Sequence, residues 1–562
     1  MLASRLRGMS ALYLALHCAQ ALSQDAPATA QAPLTVATDS APGTPQPPTP
    51  VLSVPGAARP VQGPFDAPAG PPSYQPALPA GTPADQVQRD PAATVTAFTE
   101  ALQRAYWTNP KLLSDRARTR SVDYGVPQAR GQYGPQLQYS ASYGYQHDAF
   151  EQPTGDVIRR SQWTSTAEAV LTQPLFTFGR LRANEDVAKA AVAFQRAALR
   201  ASEEETLLNA IGVYVSVLRD RAAVAIAADN AELLARELSD TRTRLRLRES
   251  TSTDLGQVEA RAELARAQLV AAQGAAASSD ALFLRVIGAP AGDLAAPNPL
   301  VIPSGTIEDA YALAAAQNPV VASAYARERS SRAKLEFAKA DLLPRVDLQG
   351  QATVGTISPY GNGLRQTELR GSVVLSGVLD SGILKARIDE ARAANDADWR
   401  LIDDAIRENR SEVADAWNTW QAQSASVERY QSSTDAARRA LEGGLLQERA
   451  GLRTTSEVLE LARDLLQVRS SLNSAMAAAY IQQARLLAAL GALEQANLLQ
   501  GAERYDPDIH YRETVHKADV PLLTSIVRSV DSLTTPPHSD RPVRDPAASL
   551  ETVPSHLSHP SH

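Results

Sequence analysis

The chain contains one long unit twice. Asn109-Pro110 recurs as Asn318-Pro319, 209 positions later, and Gly179 recurs as Gly382, 203 positions later. Further pairs at the second spacing are Gly288 with Gly491 and Asp254-Leu255 with Glu457-Val458. Such constant spacing indicates that one unit was duplicated and fused, which limits the fold to two similar halves. Each half is predicted to run helix, strand, strand, long helix, long helix.

In four segments, successive side chains alternate between a more apolar and a more polar set. This period of two residues is that of a β-strand, whose successive side chains lie on opposite faces. Each segment has about ten residues, the length that crosses a bilayer when a strand is tilted. The positions on the more apolar face are Leu137, Tyr139, Ala141, Tyr143, Tyr145, Trp163, Ser165, Ala167, Ala169, Leu171, Val346, Leu348, Ala352, Val354, Leu369, Val373 and Leu375. Four strands cannot close a barrel, and open edges are not tolerated in lipid. Membrane strands of this kind therefore predict an obligate oligomer.

Two segments without proline, residues 179–248 and 382–450, are rich in Ala, Leu, Glu and Arg. Each predicts a helix of about 100 Å. The segment after each has a seam with spacings of three and four, which packs against neighbouring helices. The seam positions are Leu255, Val258, Ala262, Ala265, Leu269, Ala272, Ala276, Ser279, Phe283 and Val286, and then Val458, Leu461, Leu465, Val468, Leu472, Ala475, Ala479, Gln482, Leu486 and Ala489. We interpret both seams as helix packing rather than as ligand sites.

The repeats, residues 92–300 and 301–500, are flanked by sequence of a different character. Residues 1–23 have a basic start, a short apolar run and small residues at the end, and predict a secretory signal peptide. A short anchor helix is the alternative, but the apolar run is far below the roughly 20 residues of a span. Residues 24–91 predict a disordered Pro/Ala-rich arm, and residues 501–562 a disordered C-terminal tail.

Composition argues against several function classes. The net charge of −7 and the lack of basic clusters interleaved with aromatics argue against a nucleic-acid partner. We find no Ser-His-Asp set or phosphate loop, so neither an enzyme nor a cofactor is expected. His556, His559 and His562 have a spacing that suits a metal, but an unstructured polar tail is the interpretation we favour. The only cysteine, Cys18, follows His17 rather than a small residue, so lipid attachment is not expected.

In their order, these features resemble the TolC family of outer-membrane channel proteins. The resemblance covers about residues 92 to 500. The motifs that carry it are Asn109-Pro110 and Asn318-Pro319, Tyr133-Gly134-Pro135 and Leu342-Leu343-Pro344, the run from Gln173 to Arg180, the run from Ala450 to Glu460, and the run from Leu486 to Gly491. Each motif is weak alone, but together they occur in order and twice over.

The resemblance implies a mainly helical fold with membrane strands. In that family three chains form one tube, in which a twelve-stranded β-barrel in the outer membrane continues into a long periplasmic α-helical coiled-coil barrel. The expected partners are two further copies, outer-membrane lipid, a periplasmic adaptor (membrane fusion) protein and an inner-membrane ABC or proton-driven transporter. The expected function is the exit duct of a tripartite export system.

Two cargo classes fit such a duct: a secreted protein in type I secretion, or small toxic compounds in efflux. The poor signal for lipid attachment slightly favours type I secretion. The alternative function is that of a structural periplasmic coiled-coil protein without a pore.

The turn between the second pair of long helices carries the candidate site. Glu457 and Glu460 are three residues apart and share a helix face. The resemblance places this face at the periplasmic entrance, where three copies would form an acidic ring that attracts cations. Crowding in such a ring is expected to raise some of the carboxyl pKa values. The alternative is a solvated acidic pair at a helix start, favoured by the macrodipole.

An entrance latch is also expected from the resemblance. Arg453 matches the family's latch arginine and is expected to pair with Asp254, which holds the entrance shut. An ordinary surface pair, worth at most about 1 kcal/mol, is the alternative. In the first turn Arg248 stands where the second has Gly451. Since glycine reaches backbone angles that other residues resist, its absence predicts a first turn less suited to an adaptor.

Overall fold

The computed structural model describes residues 94–151, 153–355, 366–379, 382–494, 498 and 504–533. The expected signal peptide, the Pro/Ala-rich arm and the last four histidines lie outside the described residues. Within the described part, residues 141–167 (without 152), 354–355 and 366–367 form one compact unit. The helices and the remaining strand residues form a second compact unit.

Both halves contain the same order of elements. In the first half these are α1 (Phe98–Thr108), α2 (Pro110–Asp123), α3 (Gly125–Gly131), β1 (Gln136–Glu151), β2 (Val157–Phe176), α4 (Arg180–Arg246) and α5 (Ser252–Ile287). In the second they are α6 (Ile307–Gln317), α7 (Pro319–Ala340), β3 (Arg345–Gly355), β4 (Gln366–Ser376), α8 (Ile383–Arg449) and α9 (Thr455–Ala489). The long helices α4 and α8 have 67 residues each, as the proline-free segments predicted. The fold is therefore mainly helical, with one sheet.

One helix of the second half is broken in the first. α7 is continuous, whereas the equivalent stretch is divided at Tyr124 into α2 and α3. Pro127 explains the division, because proline has no N–H to donate to the carbonyl of Asp123 four residues earlier. The second half has Glu336 at the equivalent place, so its helix continues.

The four strands form one sheet in the order β1-β2-β3-β4, so β1 and β4 are its edges. β3 and β4 have 11 residues each, as expected, but β1 and β2 have 16 and 20. The prediction of about ten was therefore wrong for the first pair, because cross-strand contacts continue beyond that length. The rings of Tyr143 and Trp163 stack at 5.1 Å, and further along His147 Nδ1 lies 2.6 Å from Ser161 Oγ.

The seams of the return helices form the helical core. Every predicted seam position of α5 and α9 is buried or half-buried, which confirms their interpretation as packing surfaces. Phe283 on the α5 seam is fully buried, and its ring lies 6.2 Å from that of Tyr214 on α4. Among the helices that the structure describes, none is long and apolar enough to cross a bilayer.

The Asn-Pro motifs join each leading pair of helices to a return helix. The Asn109 side chain accepts from the first N–H groups of α2, and its Nδ2 donates to Val286 O at 3.2 Å, near the end of α5. Asn318 does the same in the second half, where Nδ2 donates to Ala489 O at 2.9 Å. One side-chain amide therefore provides hydrogen-bond partners both for the first N–H groups of one helix and for a carbonyl near the end of another.

A glycine follows each return helix because the leading helices approach it closely. Gly288 and Gly491 both have left-handed backbone, with φ of 79° and 71°. A Cβ on Gly491 would lie 2.5 Å from Gln317 O, so no other residue fits without movement of the backbone. In each half, the glycine after the return helix therefore packs against the Asn-Pro motif or the residue before it, although the two are far apart in sequence.

Residues 504–533 are not the disordered tail that the sequence predicted. They form α10 (Pro507–Thr514), which packs on α2, and α11 (Leu523–Asp531), which packs on α4. His510 Nδ1 lies 2.8 Å from Asp123 Oδ2, beside the division between α2 and α3. Disorder was predicted because the segment is locally polar, but its partners in the first half lie more than 300 positions earlier in the chain, which a local pattern does not show.

Candidate functional site

The two turns between long helices have the same backbone geometry despite different sequences. Arg248 in the first and Gly451 in the second both have left-handed backbone, with φ of 63° and 72°. The equivalent bonds run from Glu249 N to Arg244 O and from Leu452 N to Gln447 O, each 2.9 Å. These are the bonds of a Schellman motif, which satisfies the last carbonyls of a helix. The first turn is therefore formed without its glycine, at the cost of a strained arginine.

Both return helices begin with a capping box that uses a predicted site residue. Asp254 Oδ2 accepts from Thr251 N at 3.0 Å and from its hydroxyl at 2.8 Å. Glu457 Oε2 accepts from Thr454 N at 2.9 Å and from its hydroxyl at 3.0 Å. In each box the threonine hydroxyl accepts in return from the N–H of the acidic residue. The two acids thus occupy equivalent places, each holding the start of its helix.

These hydrogen bonds set the charge of the two carboxyl groups. The bonds from the threonine N–H and hydroxyl lower the pKa of Asp254 and of Glu457 below their ordinary values. Crowding between copies was expected to raise some of these values, so for Glu457 the direction within one chain is the opposite. Both residues carry full negative charge at neutral pH.

Glu460 completes the predicted acidic pair on the surface of α9. It is exposed, as Glu457 is, and accepts from Arg463 Nη2 at 3.3 Å. Exposed ion pairs of this kind contribute little to stability, so the carboxylate stays available to other cations. The ring of such pairs stays a prediction, since it requires further copies of the chain.

Arg453 lies at the second turn but does not meet Asp254. Its side chain is half-buried and passes over α8, where Nη1 would lie 3.7 Å from a Cβ placed on Gly444. Its charge is one of the lesser causes of the lowered pKa of Glu457. In the described part of this single chain no ion pair joins Arg453 to Asp254, so the latch also stays a prediction.

A partly buried ion pair that the sequence did not predict joins the two halves behind the turns. Arg244 Nη1 lies 2.8 Å from Glu448 Oε1, and its Nη2 lies 3.6 Å from Glu237 Oε1. Thr455 Oγ1 donates to the same Glu448 oxygen at 2.8 Å. Burial, and then the charge of Glu448, raise the pKa of Glu237. The end of α4 is thereby held to the end of α8 and the start of α9.

Apolar contacts reinforce this junction of the two halves. Leu459 of α9 is buried in a cluster with Leu234 and Leu238 of α4 and Val258 of α5. The turns of one chain are therefore a single packed end of the helical unit. The residues at this end therefore belong to one shared surface rather than to two independent hairpins.

Comparison with known proteins agrees with this arrangement. A sequence profile described as outer membrane efflux protein matches residues 101–289 and 310–492, one segment in each half. The outer membrane efflux protein BepC of Brucella suis biovar 1 (strain 1330) is 29% identical over 431 residues, which cover 76% of this chain and 92% of BepC. The alkaline protease secretion protein AprF of Pseudomonas aeruginosa is 26% identical over 386 residues, which cover 65% of this chain and 78% of AprF.

Solved structures show the same fold. The Campylobacter jejuni CmeC outer membrane channel superposes with a TM-score of 0.62 at 14% identity, covering 75% of this chain and 89% of CmeC. Together with the profile match, this similarity confirms the resemblance to TolC-family channels that the sequence motifs indicated.

Proposed function

The chain belongs to the outer membrane efflux protein family, and on that basis we propose that it is the outer-membrane exit duct of a tripartite export system. Membership places the protein in the outer membrane and in a class of efflux and secretion channels. The observation that carries the proposal is the profile match in both halves, because it includes the strands, the long helices and both turns.

The proposed duct is a trimer whose strands complete one barrel. The apolar positions near the base of the sheet are exposed in the single chain, 82% for Tyr139 and 85% for Leu369. Such side chains suit lipid, but the open edges of β1 and β4 do not. Pairing β4 of one copy with β1 of the next removes both edges, and three copies give twelve strands. The long helices then line the periplasmic part of the duct, with residues 92–300 and 301–500 as its two repeats.

The proposed entrance lies at the turns. Three copies bring Glu457 and Glu460 into one acidic ring, and the capping box supports this because it keeps Glu457 ionised. Arg453 is the proposed latch residue, pairing with Asp254 in the assembled trimer. The partly buried contact of Arg244 with Glu448 holds the turns of each chain together behind that ring.

The proposed partners are a periplasmic adaptor and an inner-membrane transporter, which supplies the energy for export. AprF is named for secretion of a protease and BepC for efflux, so both cargo classes occur among the relatives. We favour type I secretion, with efflux of small toxic compounds as the second candidate. In cells that lack their own exit duct, restored secretion of a type I substrate without restored drug resistance would support the first.

Conductance in a planar bilayer tests the duct itself. The wild-type trimer should give small cation-selective steps, because the ring concentrates cations at the narrowest point. Arg453→Ser should enlarge the steps, and the double change Glu457→Gln, Glu460→Gln should remove the cation preference. Glu232→Gln with Glu263→Gln is the matched control, since it removes two exposed carboxylates away from the turns.

Three results would contradict different parts of the proposal. A protein that stays soluble without detergent and never conducts would leave the structural coiled-coil function as the better one. Equal loss of selectivity in the control would mean that overall charge, rather than the ring, attracts cations. Unchanged steps in Arg453→Ser would remove the latch but leave the duct.

A further inference from the structure

The tail helix α11 has one side against the protein and an apolar side that is exposed. Thr524, Val527 and Asp531 are buried against the rest of the chain. The exposed apolar side chains are Ile526 and Val530 on the helix, together with Leu522 and Leu533, which flank it and are about four-fifths exposed (79% and 81%). Exposed side chains of this size, grouped on one side of a short helix, mark an interaction surface.

The position of α11 is fixed at the junction of β2 with α4. Asp531 Oδ1 accepts from Thr177 N at 2.9 Å, from Thr177 Oγ1 at 2.8 Å and from Gly179 N at 3.1 Å. Arg528 Nη2 lies 3.0 Å from Glu185 Oε1 on α4. These contacts fix both the place and the rotation of α11, so its exposed side has a defined direction.

Further contacts place α11 at the base of the more apolar face of the sheet. Leu171 and Gln173 are two residues apart on β2 and therefore share a face. The Gln173 amide donates to Tyr133 O at 2.9 Å, and the Tyr133 ring packs in one cluster with Val527 of α11. Val520, just before the helix, packs against the backbone of Gly134. Its Cγ2 lies 3.1 Å from the position that a Cβ on Gly134 would take. The face that carries exposed Leu171 thus leads to α11.

We propose that α11 is a membrane-interface anchor, whose exposed apolar side enters the boundary of the outer membrane's periplasmic leaflet. The occupant is lipid, because α11 lies at the end of a sheet face whose own apolar residues need the same environment. The other exposed side chains of the helix, Ser525, Arg528 and Ser529, are polar, which gives it the two sides of an interfacial helix. The proposal rests on the lipid-facing side of the sheet that the proposed function assigns.

Site-specific labelling of the full protein tests the anchor. Cys18 is the only cysteine, so in a Cys18→Ser background each introduced cysteine carries the label alone. A fluorophore is placed by Ile526→Cys, by Leu522→Cys, and by Ser525→Cys as the matched control about 100° around the helix. Tyr139→Cys reports on the sheet. Each trimer is reconstituted in phosphatidylethanolamine–phosphatidylglycerol vesicles that contain lipid with a nitroxide near the headgroup.

The anchor predicts quenching at residues 526 and 522 that exceeds quenching at residue 525 by about twofold or more. Equal, weak quenching at all three tail positions, with strong quenching at residue 139, would overturn the anchor while the membrane sheet stands. Weak quenching at residue 139 as well would contradict the proposed function itself. A label at residue 526 that is shielded from water in detergent and insensitive to the lipid nitroxide would show that a neighbouring copy covers α11, which also overturns the proposal.

Discussion

Arg248 and Gly451 occupy equivalent positions in the two turns, but the left-handed backbone is less favourable for arginine than for glycine. An L-residue with left-handed backbone costs roughly 1–2 kcal/mol, whereas glycine adopts it freely. We therefore expect Arg248→Gly to raise the free energy of unfolding by about 1 kcal/mol. Gly451→Ala, the matched change, should lower it by a similar amount. Urea unfolding, with hydrogen exchange of the turn amides, measures both.

The outcome of that pair separates backbone strain from side-chain contacts. If Gly451→Ala destabilises the protein and Arg248→Gly does not stabilise it, contacts of the arginine side chain must offset its strain. The sequence showed the missing glycine, but not that the backbone would keep its angles without it. That result depends on the packing of the two long helices, which determines where the turn must begin and end.

A second prediction at this scale concerns the buried carboxyl group of Glu204. Burial, and then the charge of Glu494, raise its pKa from the ordinary 4.5 to about 8. Between these values the folded chain keeps a proton that the unfolded chain has lost. The free energy of unfolding therefore falls as pH rises through this window, by up to about 1.4 kcal/mol per pH unit from this group.

Glu204→Gln should remove that part of the pH dependence. Melting temperatures between pH 5 and pH 8 should vary less in this variant than in the wild type. The neighbouring change Glu205→Gln is the control, because Glu205 is exposed and pairs with Lys111. Equal pH profiles for all three proteins would show that Glu204 is ionised throughout.

At the scale of elements, the lengths of the helices could be predicted from the sequence, but not their junctions. The absence of proline and the spacing of apolar residues are local signals, and they predicted α4, α5, α8 and α9. The Asn-Pro motif was visible as a repeat, yet its role needed the return helix, whose carbonyl lies 171 positions from Asn318. The ion pair of Arg244 with Glu448 was not predicted, because its partners are 204 positions apart.

Substitutions of Asn318 test that junction. Asn318→Asp keeps an oxygen that caps α7 but replaces the donor to Ala489 O with a second acceptor. Asn318→Ala loses the donated bond and both accepted bonds. Each change should lower the free energy of unfolding by about 1–3 kcal/mol. Asn109→Ala should cost less than Asn318→Ala, because Asn109 is only half-buried. A fully stable Asn318→Asp in chemical denaturation would mean that the cap alone matters.

At the scale of the whole molecule, the motifs indicated the family and the comparisons confirmed it, whereas the role of the tail was missed. Residues 504–533 lack a long apolar pattern of their own, and they contact the first half through small apolar clusters and single polar groups. Asp531 is the clearest case, since its bonds to Thr177 and Gly179 span more than 350 positions. The local signals in this segment, the Asp506-Pro507 helix start and the apolar spacing of α11, do not indicate which distant residues it packs against.

Asp531→Ala should release the tail from the body of the protein. Thr177 N, Gly179 N and the Thr177 hydroxyl would then lose a buried acceptor, which weakens the packing of α11. Limited trypsin digestion should cleave after Arg528 several times faster than in the wild type. Asp531→Asn is the control, because its amide oxygen can still accept. Equal cleavage in all three proteins would show that apolar packing alone holds α11.

The bonds of Asp531 also have a consequence for the order of biogenesis. In a chain that is exported from its amino end, Thr177 and Gly179 are translocated long before Asp531, which accepts their hydrogen bonds. The donor groups of this strand-to-helix junction therefore lack their Asp531 acceptor until residue 531 has been translocated. A nascent chain that is cut short before residue 531 carries an unfinished junction in its first half. The tail thus makes completion of this one junction conditional on the delivery of residue 531.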